Sequence, residues 1–177
     1  MHEPIVKVLY VTPEDKVVDK GFINISLYIS KISRSLLMEL SRHRVHSLSV
    51  RSSRYTLKEL KSEEPFTITD KERANKFIKL TGNELVDNCS ILALENLRQV
   101  IVSGVSNDIA KFCMPECYFT ELITSFNLEQ LSNFIMLRTN KSALWEIRTL
   151  AYAIYNVLPT PVRSQLQHLV YKGNNNE

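Results

Sequence analysis

The 177-residue chain is 44% hydrophobic, 23% charged and 8% aromatic, and 22 Lys plus Arg against 19 Asp plus Glu leave a net charge of +3. This balance suits one globular domain, expected over residues 1–172 with a polar tail at 173–177, and excludes a disordered chain, a collagen-like repeat or a disulfide-stapled miniprotein. Four glycines supply no Gly-rich phosphate loop of the Rossmann or Walker kind, and no apolar run reaches bilayer-spanning length.

Taken in chain order, Ile5–Val11 is a short β-rich run closed by Thr12-Pro13, and Phe22–Ile29 alternates apolar and polar residues. Both predict strands. Ser30–Ser41 changes to helical spacing with Ile32, Leu36, Leu37 and Leu40 on one side and Ser33 as cap. The Ser- and Arg-rich stretch that follows predicts an extended segment or loop. Thr69-Asp70 opens a helix expected to run through Leu80. A longer helix spans about Glu84–Val102, with Leu85, Cys89, Leu92 and Asn96 drifting along one side and Gly104 as its stop. Ala110–Met114 ends at Pro115, and Cys117–Phe126, rich in Thr, Tyr, Phe and Ile, predicts a strand. Leu128–Leu137 and Ser142–Val157 read as amphipathic helices, the second stopped by Pro159 and Pro161. A few strands among more helix give an α/β or α+β domain with a small mixed or antiparallel sheet.

Three cysteines, Cys89, Cys113 and Cys117, cannot all pair with one another. With no signal peptide in view, they predict a reduced, cytoplasmic protein with no membrane span. Cys113 and Cys117 lack the second Cys or His pair that a zinc site needs, and small buried thiols are the simpler reading.

Charge is distributed unevenly. Between Leu40 and Leu57 lie four of the ten arginines (Arg42, Arg44, Arg51 and Arg54), two of the four histidines and no acidic residue. Arginine suits phosphate because its planar fork donates two parallel hydrogen bonds and stays charged at every relevant pH. Ser52 and Ser53 add hydroxyls. In an extended segment, alternation would place Arg42 and Arg44 on one face and His43 on the other. A surface strip touching nucleic acid is the plain alternative, but the rest of the chain offers no basic stripe. A duplex-binding surface normally needs several phosphate contacts.

Arg42-His43-Arg44, seven residues and then Ser52 resembles the signature of the flavin-dependent (ThyX-type) thymidylate synthases. The wording SLSVRSSRYTLKELK is similar to the ε-proteobacterial branch. A second block, NLEQLSNFIMLRTNKSALWEIR over Asn127–Arg148, resembles that family's helix pair, and Met114-Pro115-Glu116 fits the link before it. The resemblance covers most of residues 30–158. It implies a homotetramer with active sites built from several chains, FAD as cofactor and dUMP as substrate. Methylenetetrahydrofolate and NADPH are the implied co-substrates, dTMP the product, and no cysteine nucleophile is required. Residue by residue, it implies flavin contacts for Arg42, His43, Arg44, Asn127 and Asn133. It implies nucleotide contacts for Glu39, Ser52, Ser53 and Arg54, and for Arg138 contact with the pyrimidine together with its activation. A guanidinium aimed at uracil N3 or O4 would stabilise the negative charge that builds there in the transition state.

Three departures accompany the match. Lys16–Phe22, KVVDKGF, lacks the His and Glu of the family's N-terminal segment, and the resemblance implies a longer N-terminal portion. Glu121 and Glu129 stand where arginines are common. Two further readings follow from them: an enzyme modifying C5 of another pyrimidine nucleotide, and a non-catalytic homologue that binds a nucleotide or partner. His46, Trp145 and Glu146 read as structural or peripheral, the last two as packing and surface ion pairing.

Overall fold

The computed structural model describes residues 3–13 and 19–171, apart from the side chains of Lys20, Arg54 and Tyr55. The first three residues of the KVVDKGF segment, 16–18, and the polar tail lie outside the described residues. By contacts the chain divides into two compact units, one of Lys31–Leu37 and Val50–Thr120, the other of Glu3–Ser30, Met38–Ser49 and Glu121–Glu177.

The second unit carries most of a four-stranded antiparallel sheet in the order β1-β2-β4-β3. Its strands are β1 (Ile5–Val11), β2 (Asn24–Ser33), β3 (Ser47–Val50) and β4 (Phe119–Asn127). β2 alternates as its sequence predicts, so that Ile25, Leu27 and Ile29 are fully buried. β1 pairs antiparallel with it from Ile5 opposite Ser30 to Val11 opposite Ile25, with a bulge between Val8 and Tyr10. Across β2 and β4, Ser26 Oγ meets Ser125 Oγ at 2.7 Å and the Tyr28 hydroxyl donates to Glu121 Oε2 at 2.6 Å. Residue numbers that fall on one strand as they rise on the other are the mark of antiparallel pairing. Helices α6 (Leu128–Arg138), α7 (Trp145–Val157) and α8 (Thr160–Leu166) pack on one another, and α7 also packs on β1. α7 buries Ile147, Leu150, Ala151 and Ile154, an i, i+3, i+4, i+7 stripe.

In the first unit α4 (Glu84–Val102) is the central element, contacting α2 (Ser53–Leu60), α3 (Lys71–Ala74) and α5 (Asn107–Ala110). Asn83 Oδ1 caps it by accepting from the Val86 N–H, and Gly104 ends it at φ +89°. Ile91, Leu94, Leu97 and Ile101 face a core shared with Leu57 and Leu60. The carboxylate of Glu95 is set into this unit by four donors: the Phe66 N–H, Arg98 through Nε and Nη2, and Gln99. Arg98, bonding it twice, is the main reason its pKa falls to about 2.

Several expectations are corrected. β2 continues to Ser33 where helix was expected from Ser30; α1 (Arg34–Leu40) begins only after Ser33, whose hydroxyl accepts from the Leu36 N–H. The helix expected through Leu80 ends at Ala74 because the following backbone pairs elsewhere: Lys79 N donates to Cys117 O, and Phe119 N to Phe77 O. Leu85, Cys89 and Leu92 lie on the exposed side of α4. The Ser- and Arg-rich stretch is a turn, β3 and then helix α2, with Arg54 on the helix. Pro161 starts α8 instead of only stopping α7, since proline fits the first helical turn. Glu146, expected at the surface, is buried at 4% exposure.

Candidate functional site

The last turn of α1 and the end of α6 bring together four of the sequence-predicted residues, all within the second unit. Glu39 Oε2 lies 3.4 Å from Arg138 Nη1, and Glu39 Oε1 lies 3.1 Å from Arg42 Nη1. Arg138 Nε donates to His43 Nε2 at 2.7 Å. Arg138 closes α6, where a cation also favours the helix dipole.

The chemistry of this cluster fixes one proton. Arginine has only donors, so His43 Nε2 must accept, and the ring is the neutral tautomer with hydrogen on Nδ1. Burial, then the Arg138 charge and His46, lower the His43 pKa to about 4, outweighing the pull of Glu39. The ring sits edge-on to Phe134, 5.0 Å between centroids. His46 is supported separately: it stacks on Phe126 at 4.8 Å and its Nδ1 lies 3.1 Å from Thr124 Oγ1. Between the two histidines Val45 holds φ at +63° and is 72% exposed. A β-branched residue in the left-handed region is strained, which the pattern of local propensities did not foresee.

The remaining predicted residues are placed less tightly. Arg44 and Asn133 are exposed, as is Arg42 beyond its pairing with Glu39. Asn127 is the N-cap of α6, its Oδ1 accepting from the Gln130 N–H at 2.8 Å, and its amide N–H groups can donate to a ligand. Glu129 lines a cavity of about 440 Å³ with Asp19 and His168, apart from the arginine cluster.

Ser52 and Ser53 belong to the first unit and line a cavity of about 250 Å³. Arg34, Arg51 and Thr56 share that lining, and Leu37, Val50 and Phe119 form its apolar side. Ser52 is the N-cap residue of α2 yet its side chain makes no capping bond. Arg34 Nε is buried and has no hydrogen-bond partner. Sequence reasoning missed Arg34, eight residues before the arginine-rich stretch. A signal was available, because Arg34 opens a helix directly after the Ser33 cap, where the helix dipole disfavours a cation.

A model of the family described as "Thymidylate synthase complementing protein" matches residues 21–160. The chain belongs to this family. Among its relatives, the flavin-dependent thymidylate synthase of Campylobacter jejuni (strain RM1221) is 51% identical over 150 residues, 85% of this chain and 72% of that protein. The flavin-dependent thymidylate synthase of Wolinella succinogenes is 56% identical over 134 residues, 76% of this chain and 66% of that protein. A crystal structure of ThyX from Helicobacter pylori with FAD and dUMP aligns with a TM-score of 0.87 at 33% identity, covering 96% of this chain and all of that one. The expected family, its ε-proteobacterial leaning and the ThyX-like fold are thus borne out. Among the described residues, no helix of this thymidylate synthase family member is long and apolar enough to cross a membrane.

Proposed function

We propose that the chain reductively methylates dUMP at C5 to give dTMP, drawing the methylene from methylenetetrahydrofolate and electrons from NADPH. The balance is simple: C5 loses a proton and gains a methylene and a hydride, while tetrahydrofolate is released and NADPH is oxidised to NADP+. The observation that carries this reading is the Arg138 cluster. Two neighbours anchor the guanidinium, through Nε and Nη1, and its other N–H donors stay available to a pyrimidine oxygen. Such a fixed donor lowers the barrier because it needs no reorganisation as charge develops.

The donor set also fits a flavin dinucleotide. Arg42 and Arg44 expose guanidinium groups that suit a diphosphate, and Asn133 and the amide of Asn127 add neutral donors. Bound FAD supplies the redox chemistry. His43 borders this group as a neutral ring, Glu39 orients Arg42 and Arg138, and Ser52, Ser53 and Arg54 hold the nucleotide phosphate.

Assembly as a homotetramer in the cytoplasm completes the proposal. Phe112 is 84% exposed, Leu85 74% and Ile109 64%, and apolar side chains so open to water favour burial against another copy. The free cysteines accord with a reducing compartment. The test is tritium release from C5-labelled dUMP, expected only when FAD, NADPH and methylenetetrahydrofolate are all present. A preparation that takes up no FAD overturns the proposal.

A further inference from the structure

We propose that His46, a residue outside the Arg42–Arg44 triplet, is a positioning residue for Arg138, acting on it through His43. The inference rests on the dUMP reading above and adds to it the residue that sets where the His43 ring stands.

From Ser41 to Ser47 every side chain is exposed except two, His43 and His46. Ser41 Oγ donates to Met38 O and Arg42 pairs with Glu39, so both turn back on α1. Val45 holds φ +63° with its side chain 72% exposed. Such a conformation persists only where the surroundings over-determine it, and the side chains tucked in on either side of Val45 are the two imidazoles.

His46 turns onto β4. Its ring stacks on Phe126 with 4.8 Å between centroids and 16° between planes, and its Nδ1 lies 3.1 Å from Oγ1 of Thr124. Thr124 has no exposed surface, and a buried hydroxyl requires a partner, so this contact fixes the rotation of the ring as well as its place. Phe126 meets Phe134 at 5.7 Å, and Phe134 meets His43 edge-on at 5.0 Å. The four rings make one row from β4 to α6, ending on the imidazole whose Nε2 accepts from Arg138. Phe126 and Phe134 are 1% and 0% exposed, and a close-packed interior transmits a displacement instead of absorbing it. Burial lowers the His46 pKa, so the ring stacks in its neutral form and adds no charge beside His43.

A single contact between two side chains lets the pair swing together. The row supplies a second anchor, seated on the sheet, so the place of His43 Nε2 does not depend on Arg138 alone. A misplacement of about 1 Å can cost about 100-fold in rate, and the guanidinium is the group whose aim matters most.

The experiment is a double-mutant cycle in kcat, read by tritium release from C5-labelled dUMP at saturating FAD, with His46→Ala, His43→Ala and the double variant. His46→Ala should lower kcat about 10-fold with the KM for dUMP within about twofold of wild type. In the His43→Ala background the same change should cost less than about twofold, because nothing is left for it to position. His46→Phe keeps the stack and should stay within about threefold of wild type. Should His46→Ala fail to fold, Thr124→Val removes the hydroxyl partner at nearly constant shape and takes its place in the cycle. Unchanged kcat, an equal loss in both backgrounds, or a loss that added FAD restores overturns the assignment of His46. A wild type that releases no tritium with every co-substrate present overturns the dUMP reading, and the assignment with it.

Discussion

Replacing His43 with asparagine tests whether this ring works as a neutral acceptor for Arg138. The 2.7 Å contact requires an unprotonated Nε2, and burial, aided by the Arg138 charge, holds the folded pKa at about 4 against an ordinary 6.5. Between these values the unfolded chain binds a proton that the folded chain does not, so stability rises with pH across the window. The contribution is fully present above pH 6.5 and is lost as pH falls toward 4. A shift of this size caps the effect at about 3 kcal/mol, and solvent screening at a half-buried ring brings it to about 1–2 kcal/mol. For a chain of this length that is roughly 2–8 °C in Tm. His46 is also lowered by burial and acts in the same direction, so the informative quantity is the difference between proteins. Asparagine offers an acceptor oxygen and does not titrate. Thermal unfolding followed by circular dichroism from pH 7.5 to 4.5 should therefore show wild type losing roughly 2–8 °C more than His43→Asn. Parallel pH profiles would refute the reasoning.

Three other substitutions probe the same region. Arg138→Lys keeps the charge without the fork and should lower kcat about 100-fold, with a smaller change in KM for dUMP, in the tritium-release assay. Asn127→Ala removes the cap of α6 and should cost about 1 kcal/mol in urea unfolding, while Asn127→Asp keeps the acceptor and most of the stability. Val45→Asn relieves a β-branched residue at φ +63° and should raise stability by about 1 kcal/mol, seen as a higher urea midpoint.

What could be read from the sequence follows from where each signal resides. The start and end of α4 depend on Asn83 and Gly104, both local, and the bounds expected for that helix match the structure. The strand over Ile5–Val11 was equally legible because β propensity and a terminal Thr-Pro coincide there. Errors arose where a distant partner decides the backbone. The stretch after Ala74 carries a helical pattern, but its ladder bonds go to Cys117 and Phe119, and no local window contains that information. The site divides in the same way. Arg42, His43, Arg44 and Ser52 were legible because their spacing is linear. Arg34 became informative only when burial and the missing partner were seen together.

The two arginines tied to Glu39 are held differently, and the difference matches the roles assigned to them. Arg42 pairs with Glu39 three residues away on the same turn, with 70% of its side chain exposed. Exposed pairs of this kind contribute little to stability, so a ligand anion can take over Arg42 without a large opposing term. Arg138 is 20% exposed at the side chain and has two anchors, one ionic and one a hydrogen bond to a neutral ring. A cationic His43 would repel it, because two donors cannot share the contact. Keeping the ring neutral therefore holds Arg138 in place without consuming its charge, and in the proposed function the guanidinium would meet the pyrimidine already oriented. Preorganisation of this sort is required of a residue whose effect is confined to the transition state. It is not required of one that only binds a diphosphate. The same carboxylate thus joins a replaceable contact to a fixed one, and the neutral histidine determines which arginine is fixed.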